Sequence, residues 1–157
     1  MELVPFNKIY KVPRYPENSP IQVFTDISKN TDLVDIADYF SINSMRGIRA
    51  SKRIGVIAYI FGSNLKVEFK KDYYIATVEF RIPYAPFDES GLYYGGINLF
   101  NNNMKFVWDE LRRNNIPTEI TDVGFAAPSI GVYFFSSNFD KNLDVKLDAV
   151  TVFFVNF

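Results

Sequence analysis

The sequence predicts an α+β fold: a single domain with a mostly antiparallel sheet of about five or six strands, two helices packed on it and an extended N-terminal arm. The stretch Ile54–Tyr84 contains an apolar run and then two segments in which apolar and polar residues alternate, as in half-buried strands. Two short amphipathic helix patterns interrupt the strands. The strands follow one another as hairpins and not in βαβ alternation, which favours antiparallel pairing.

The composition of the 157-residue chain limits the chemistry that it offers. With 48% hydrophobic and 17% aromatic residues, the chain is long enough for one core. The formal net charge of −1 provides no bulk positive field for nucleic acid or an anionic membrane. The absence of cysteine and histidine excludes disulfides, thiol nucleophiles, Ser-His-Asp triads and imidazole or thiolate metal sites. Carboxylates, hydroxyls, lysine and arginine remain.

The first residues contain no basic segment followed by an apolar run, as a signal peptide would. No stretch approaches the roughly 18 apolar residues of a membrane span. We therefore expect a soluble protein made in a cytoplasm, with no signal peptide, no transmembrane segment and no membrane partner.

Residues 1–30 are predicted to form the arm, and residues 31–157 the single α+β domain. Because proline fixes φ and removes a hydrogen-bond donor, the prolines of the arm allow at most short edge strands. The arm also carries too many aromatic and aliphatic residues for a solvated tail, among them Tyr10 and Tyr15. We expect it to lie either on the chain's own core or on a neighbouring subunit.

Two helices are predicted from their caps and their apolar spacing. Asp32 and Asp35 suit the start of a helix whose apolar face consists of Leu33, Ile36, Ala37 and Phe40. The second helix is expected from Met104 to about Asn114, after a run of asparagines that can cap it. Trp108 lies on the apolar stripe of this helix and is interpreted as a core anchor.

One cationic cluster precedes the central apolar strand. It consists of Arg46, Arg49, Lys52 and Arg53, and its three arginines share a face if the segment is helical. The favoured interpretation is a solvated charged face, since runs of charge are usually exposed. The alternative is a site for phosphate, for an acidic partner or for a local contact with DNA.

A loop-like stretch with several glycines and prolines extends over residues 83–103. A loop of about 20 residues inside a compact domain is commonly functional or bound to a partner. Its aromatic content, with two tyrosines of the arm, predicts an interface formed by Phe87, Leu92, Tyr93, Tyr94, Phe100, Tyr10 and Tyr15. The alternative is that the loop covers the chain's own core.

The rest of the chain is predicted to be strand, over residues 118–125, 129–135 and 143–157. In the last strand, apolar and charged residues alternate from Leu143, but from Ala149 onward both faces are apolar. Such a strand begins at a solvent edge and ends buried on both sides. Helices of the chain itself or another subunit must then cover its final segment.

The sharpest local motif is Gly62-Ser63 at the end of the apolar strand, which resembles the Gly-Ser step of the nucleotidyltransferase superfamily. The resemblance implies a metal-dependent nuclease or nucleotidyltransferase-like enzyme of viral origin that transfers phosphoryl groups with Mg²⁺ or Mn²⁺. Glu79 would be the metal ligand, and Glu68 and Ser63 are further catalytic candidates. The expected second acid, two residues before Glu79, is Thr77, and one carboxylate makes a poor Mg²⁺ site. We therefore favour a hairpin turn, Glu79 paired with a cation of the sheet, and neither a catalytic residue nor a cofactor.

From Ile54 to Phe157, the order of elements resembles the tail-terminator and tail-completion proteins of tailed phages, which form rings where the tail tube meets the head. The matching elements are an apolar strand with a short turn, a long alternating strand, a loop, one amphipathic helix and a final strand. The resemblance implies a non-enzymatic virion component that forms a homo-oligomeric ring and contacts neighbouring virion proteins. Such a protein is located in the virion or in the host cytoplasm.

Overall fold

The computed structural model describes residues 1–14, 23–40, 45–51, 55–82 and 90–155, and it confirms the α+β class. Two α-helices lie entirely within these residues. In chain order the elements are β1 (Glu2–Val4), β2 (Lys8–Pro13), β3 (Phe24–Ser28), α1 (Leu33–Tyr39), β4 (Met45–Ser51), β5 (Gly55–Ile60), β6 (Leu65–Phe69), β7 (Ile75–Arg81), β8 (Tyr93–Tyr94), β9 (Ile97–Asn98), α2 (Met104–Arg113), β10 (Glu119–Ile120), β11 (Gly124–Ala127), β12 (Val132–Phe135) and β13 (Ala149–Phe153).

Within the described residues the strands form two sheets. The smaller sheet has five strands in the order β3-β2-β1-β8-β9, and β1 pairs in parallel with β8. The larger sheet has eight strands in the order β10-β11-β12-β13-β7-β6-β5-β4. All neighbours in this larger sheet are antiparallel, as the hairpin pattern of the sequence predicts.

The larger sheet is wider than predicted because two segments differ from the expectation. Met45–Ser51, where the arginines would share a helical face, is strand β4. Its Ile48 and Ala50 alternate with period two and lie opposite Ala58 and Val56 of β5 in register. Residues 118–125, predicted as one strand, contain β10, a turn and the first residues of β11.

The N-terminal segment packs on the chain's own core. Its described residues form β1, β2 and β3, and Leu3, Ile9 and Ile27 are buried. β2 lies between β1 and β3, whereas the prolines predict edge strands. Pro5 lies in a turn and Pro13 is the last residue of β2, so neither interrupts the ladder.

Both helices begin where the sequence predicts. The carboxylate of Asp32 accepts a hydrogen bond from the Asp35 amide at 2.9 Å, and the Asp35 carboxylate accepts one from the Asp32 amide at 3.1 Å, which forms a capping box. At the start of α2, the Asn103 side chain accepts a hydrogen bond from the Phe106 amide at 3.1 Å. Among the described helices, none has the length and apolar character needed to cross a membrane.

One hydrophobic cluster contains buried residues from both sheets and both helices. The helix α2 contributes Met104, Val107 and Leu111 to it. Trp108 is half-buried and packs edge-on against Phe125 of β11, with the ring centroids 5.1 Å apart. Trp108 therefore anchors the helix to the sheet, as the sequence predicts.

The strand β13 joins the two halves of the larger sheet, because it lies between β7 and β12. It covers Ala149–Phe153, and Val150 and Val152 are fully buried. The strand is shorter than predicted because the segment before it pairs with the start of α2, where the Val145 carbonyl accepts a hydrogen bond from the Met104 amide at 3.0 Å.

The close approach of β11 and β12 at Gly124 gives a testable prediction. A Cβ atom on Gly124 would lie 2.0 Å from the carbonyl oxygen of Phe134, which the strand ladder holds in place. We expect Gly124→Ala to lower the free energy of unfolding by about 3 kcal/mol or more, measured by urea denaturation. Gly95 is the control, since its φ is also positive at +55° but no described atom lies within 4 Å of its Cβ position.

Gly95→Ala should cost only about 1–2 kcal/mol, the strain of a left-handed backbone. Equal losses in the two variants would contradict a close contact at Gly124.

Candidate interface on the solvent faces of the sheets

The Gly62-Ser63 step is a turn between β5 and β6. Phe61, Gly62 and Ser63 have φ values of +52°, +65° and +78°, and the Ser63 amide donates to the Ile60 carbonyl at 3.2 Å. Asn64 comes directly after this turn, and its carbonyl accepts a hydrogen bond from the Arg81 amide at 2.9 Å. This bond connects the turn to the end of β7. This geometry is the hairpin turn that we favour from the sequence.

Glu79 lies in a charged cluster on the solvent face of the larger sheet. The ammonium of Lys66 is 3.0 Å from a carboxylate oxygen of Glu68 and 3.1 Å from one of Glu79. The Thr77 hydroxyl donates to the second oxygen of Glu68 at 3.2 Å. The side chains of Lys66, Glu68 and Glu79 are 25%, 16% and 24% exposed, so solvent screens their charges only in part. The expected pairing of Glu79 with a cation of the sheet is therefore present.

The pKa of Lys66 reflects this cluster. Burial alone would lower the pKa, because it disfavours the charged form. Hydrogen bonds and charge attraction from Glu68 and Glu79 outweigh burial and raise the pKa above its ordinary value. Glu68 and Glu79, which the sequence offers as alternative catalytic residues, are thus both held by one lysine, and Ser63 lies in the turn. Among the described residues, no group of three acidic side chains could hold a metal ion together.

The residues predicted as an interface differ in how deeply they are buried. Leu92 is fully buried and Phe100 is 5% exposed, with the Phe100 ring centroid 5.3 Å from that of Phe80. These two side chains belong to the chain's own core and expose almost no surface to a partner. For them, the alternative prediction that the loop covers the chain's own core is the correct one. Tyr94 is half-buried. Phe87 and Tyr15 lie outside the described residues.

The two remaining predicted residues lie together on the solvent face of the smaller sheet. Tyr10 of β2 is 39% exposed and Tyr93 of β8 is 38% exposed. Both lie opposite Glu2 of β1 in register, so the three residues form one row across three strands. The Lys8 ammonium lies 4.8 Å from the centroid of the Tyr10 ring. We call this row, Tyr10, Glu2 and Tyr93, the tyrosine row.

A second exposed feature lies on the solvent face of β12 and β13, where the sequence predicts a final strand that helices of the chain itself or another subunit must cover. A groove of about 370 Å³ is lined mainly by apolar and aromatic side chains, including Val123, Tyr133, Phe135 and Phe153, together with Thr151, and Glu79 and Arg81 form its charged part. The rings of Tyr133 and Phe153 lie 4.9 Å apart, while Phe135 is 39% and Val123 49% exposed. We call this feature the outer groove. The loss of alternation after Ala149 is the signal that indicates it.

The outer groove continues into a second cavity of about 340 Å³, which shares Glu79, Arg81 and Phe135 with it. There the Asp148 carboxylate accepts hydrogen bonds from the Ser137 amide and hydroxyl, both at 2.6 Å. An apolar surface with a polar margin is the usual composition of a protein interface. The arrangement therefore suits the burial of a partner's apolar side chains better than the binding of a small polar substrate.

The basic cluster is only partly within the described residues. Arg46 and Arg49 belong to β4, an edge strand of the larger sheet, and Arg49 lies opposite Ile57 in register. The shared face expected for a helix does not form, because the backbone is extended. Lys52 and Arg53 lie outside the described residues.

Replacement of Lys66 by methionine tests the charged cluster. The variant leaves Glu68 and Glu79 close together without their shared cation, so we expect Lys66→Met to lower the free energy of unfolding at pH 7 by about 1–3 kcal/mol. Urea denaturation at pH 7 measures the loss, with the exposed Lys105–Asp109 pair, broken by Lys105→Met, as a control that should change little.

The raised pKa of Lys66 also determines how its contribution to the free energy of unfolding changes at alkaline pH. Its contribution to stability is fully present below the unfolded lysine pKa of about 10.4 and is lost as pH rises through the folded pKa. Wild type should therefore lose stability in this range more steeply than Lys66→Met. Parallel pH profiles for the two proteins would contradict the coupling of Lys66 to the two glutamates.

Comparison with known proteins returned no relative of this chain. No family model matches the sequence, and no curated protein and no solved structure matches it.

Proposed function

We propose that this protein is a non-enzymatic structural protein that assembles through subunit interfaces, as a ring-forming neck or tail component of a phage virion. The observation that carries the proposal is the apolar solvent face of β12 and β13 at the outer groove. An antiparallel sheet that packs one face on a core normally presents polar residues on the other face. Here Tyr133, Phe135 and Phe153 occupy that second face.

A contiguous apolar surface of this kind supports contact with another protein, because monomers rarely expose one without a function. The aromatic rings at the groove are rigid and bury much area for little loss of conformational entropy, as in typical interface anchors. Glu79 and Arg81 at its margin supply charges of both signs, which favour a defined orientation of the partner.

Two different surfaces support a ring in preference to a simple dimer. The outer groove lies on the larger sheet and the tyrosine row on the smaller sheet, so one chain offers two unlike patches. When unlike patches of identical subunits meet head to tail, the contacts close into a ring if the rotation between subunits allows it. Subunits with one self-complementary patch would instead form a closed pair.

Phosphoryl transfer is the alternative that the sequence raises. Glu68 and Glu79 approach the same Lys66 ammonium, so a divalent cation would have to displace that ammonium before it could bind both carboxylates. Mg²⁺ also requires several oxygen ligands in near-octahedral geometry. A structural ion pair accounts for the position of Glu79 without a metal.

The assembly function predicts a mass in solution that is a multiple of the 18.1 kDa protomer. Phe135→Asp and Val123→Asp place a carboxylate in the outer groove, and each should shift the protein to the protomer mass in multi-angle light scattering, because burying an unpaired charge opposes association. Phe106→Asp is the matched control, since Phe106 is 49% exposed on α2 and does not line the groove. Circular dichroism checks that each variant is folded.

A wild-type protein that stays at 18.1 kDa at high concentration would overturn the assembly function. Equal loss of mass in the Phe106 control would show that the groove is not the interface.

The enzymatic alternative is tested separately with DNA and Mg²⁺ or Mn²⁺. We expect wild type and Glu79→Gln to leave the DNA equally intact, since Glu79 is held by Lys66. Metal-dependent cleavage by the wild type that Glu79→Gln abolishes would replace the assembly function with phosphoryl transfer.

A further inference from the structure

The floor of the outer groove has a gap between an aromatic ring and a cation. Across β12, β13 and β7, Phe135 lies opposite Ala149, and Ala149 lies opposite Arg81 in register. Ala149 is small and 6% exposed, whereas the side chains of Phe135 and Arg81 are exposed on either side of it. Since neighbouring strands are about 4.8 Å apart, the two strands that flank the gap are about 9–10 Å apart.

The tyrosine row has the same spacing on the smaller sheet, with an acid in the middle. Tyr10 and Tyr93 each lie opposite Glu2, and all three residues are exposed. A cation midway between two rings on strands about 9–10 Å apart lies about 5 Å from each, within the roughly 6 Å reach of a cation–π contact. The row therefore combines two aromatic faces and a carboxylate around a position that suits one cation.

Glu2 keeps its carboxylate accessible at the centre of this row. The N-terminal ammonium of Met1 attracts it, but that ammonium is partly buried and donates a hydrogen bond to the Gly91 carbonyl at 3.0 Å. Lys8, whose ammonium lies 4.8 Å from the Tyr10 ring centroid, also pairs with Asp26 at 3.9 Å. A cation from outside the protomer can thus approach Glu2 from the solvent side.

Arg81 is the cation of the outer groove that suits this position. It lines both cavities of the groove, where Glu79 and Asp148 are the acids. Glu79 is paired with Lys66, and Asp148 accepts two hydrogen bonds from Ser137. Within the part of the chain that the structure describes, Arg81 forms no ion pair with either acid. Its guanidinium therefore retains N–H donors for a partner.

We propose that the tyrosine row of one protomer binds Arg81 of the next protomer. This inference rests on the proposed ring assembly, and it specifies the contact that sets the direction and register of the ring. The guanidinium lies between the rings of Tyr10 and Tyr93 and donates to the Glu2 carboxylate. One of the two rings fills the gap over Ala149. Because both rows have the spacing of neighbouring strands, these contacts form together.

Charge and shape select this register over its neighbours. A shift that placed Glu2 opposite Glu79 would bring two carboxylates together, and Glu79 shares its cation Lys66 with Glu68. Lys146 in the second cavity offers a positive charge, but an ammonium lacks the planar fork that stacks on rings and binds a carboxylate through two donors.

Charge reversal in the full chain tests the contact. Arg81→Glu and Glu2→Arg should each weaken association about tenfold or more, measured by light scattering over a range of protein concentrations. An equimolar mixture of the two variants should regain association, because each interface of an alternating assembly then joins one acid to one guanidinium. The double variant should also associate. Arg112→Glu is the matched control, since it reverses a charge on α2 outside both surfaces.

The gap over Ala149 is tested without a change of charge. Ala149→Leu should weaken association about threefold to tenfold, because the larger side chain occupies the space of the tyrosine ring. Circular dichroism checks that the variant is folded.

The outcomes separate this contact from the assembly function itself. Unchanged association of both charge variants, in a protein whose assembly Phe135→Asp disrupts, would overturn the contact and leave the assembly function in place. Loss of association without recovery in the mixture and in the double variant would also overturn it, because the two charges would then act separately. A wild-type protein that remains a protomer would overturn both.

Discussion

The position of β13 between β7 and β12 is the constraint on which the rest of the structure depends. On one side of it lie β4 to β7, each paired with the next along the chain, and on the other lie β10 to β12. Val152 lies opposite Val78 of β7 and Val132 of β12, so one buried apolar row crosses the junction. Without this strand the two halves of the larger sheet would not share a ladder, and α2 would lose the common surface against which it packs.

The same property that lets β13 join the sheet also shapes the protein's surface. A central strand with apolar residues on both faces fits a core on one side, but its other face must be covered or remain exposed. In this fold α2 and the core take the face of Val150 and Val152, and the opposite face of Thr151 and Phe153 lines the outer groove. The candidate interface is therefore a direct consequence of how the sheet is closed.

Local patterns predict the parts of the fold that depend on local interactions. The caps at Asp32 and Asn103 fix the starts of the helices through hydrogen bonds within one turn, so the sequence predicts both. The alternation in β6 and β7 likewise reflects the two faces of each strand and needs no further information. Residues 118–125 differ, because their turn depends on the hydrogen bond from the Thr121 amide to the Gly124 carbonyl and on the close approach of Gly124 to the next strand, β12, neither of which the alternation of residue types reveals.

The candidate site was predictable only in outline for the same reason. Tyr93 and its neighbour Leu92 belong to the same predicted loop, yet Tyr93 is exposed and Leu92 is buried, because only the fold decides which side chains of this segment meet the core. The pairing of Glu79 with a lysine follows from the strand register, which places it opposite Lys66.

The order of strands has a consequence for folding kinetics. β13 is the last strand of its sheet along the chain, and its partner β7 lies some seventy residues earlier, with Val152 opposite Val78. Contacts between such distant segments are slow to form, because loop closure must precede them. Until β13 docks, β7 and β12 each present an open edge, so during synthesis the nascent chain is exposed to non-native strand pairing for longer than a sheet built from successive hairpins.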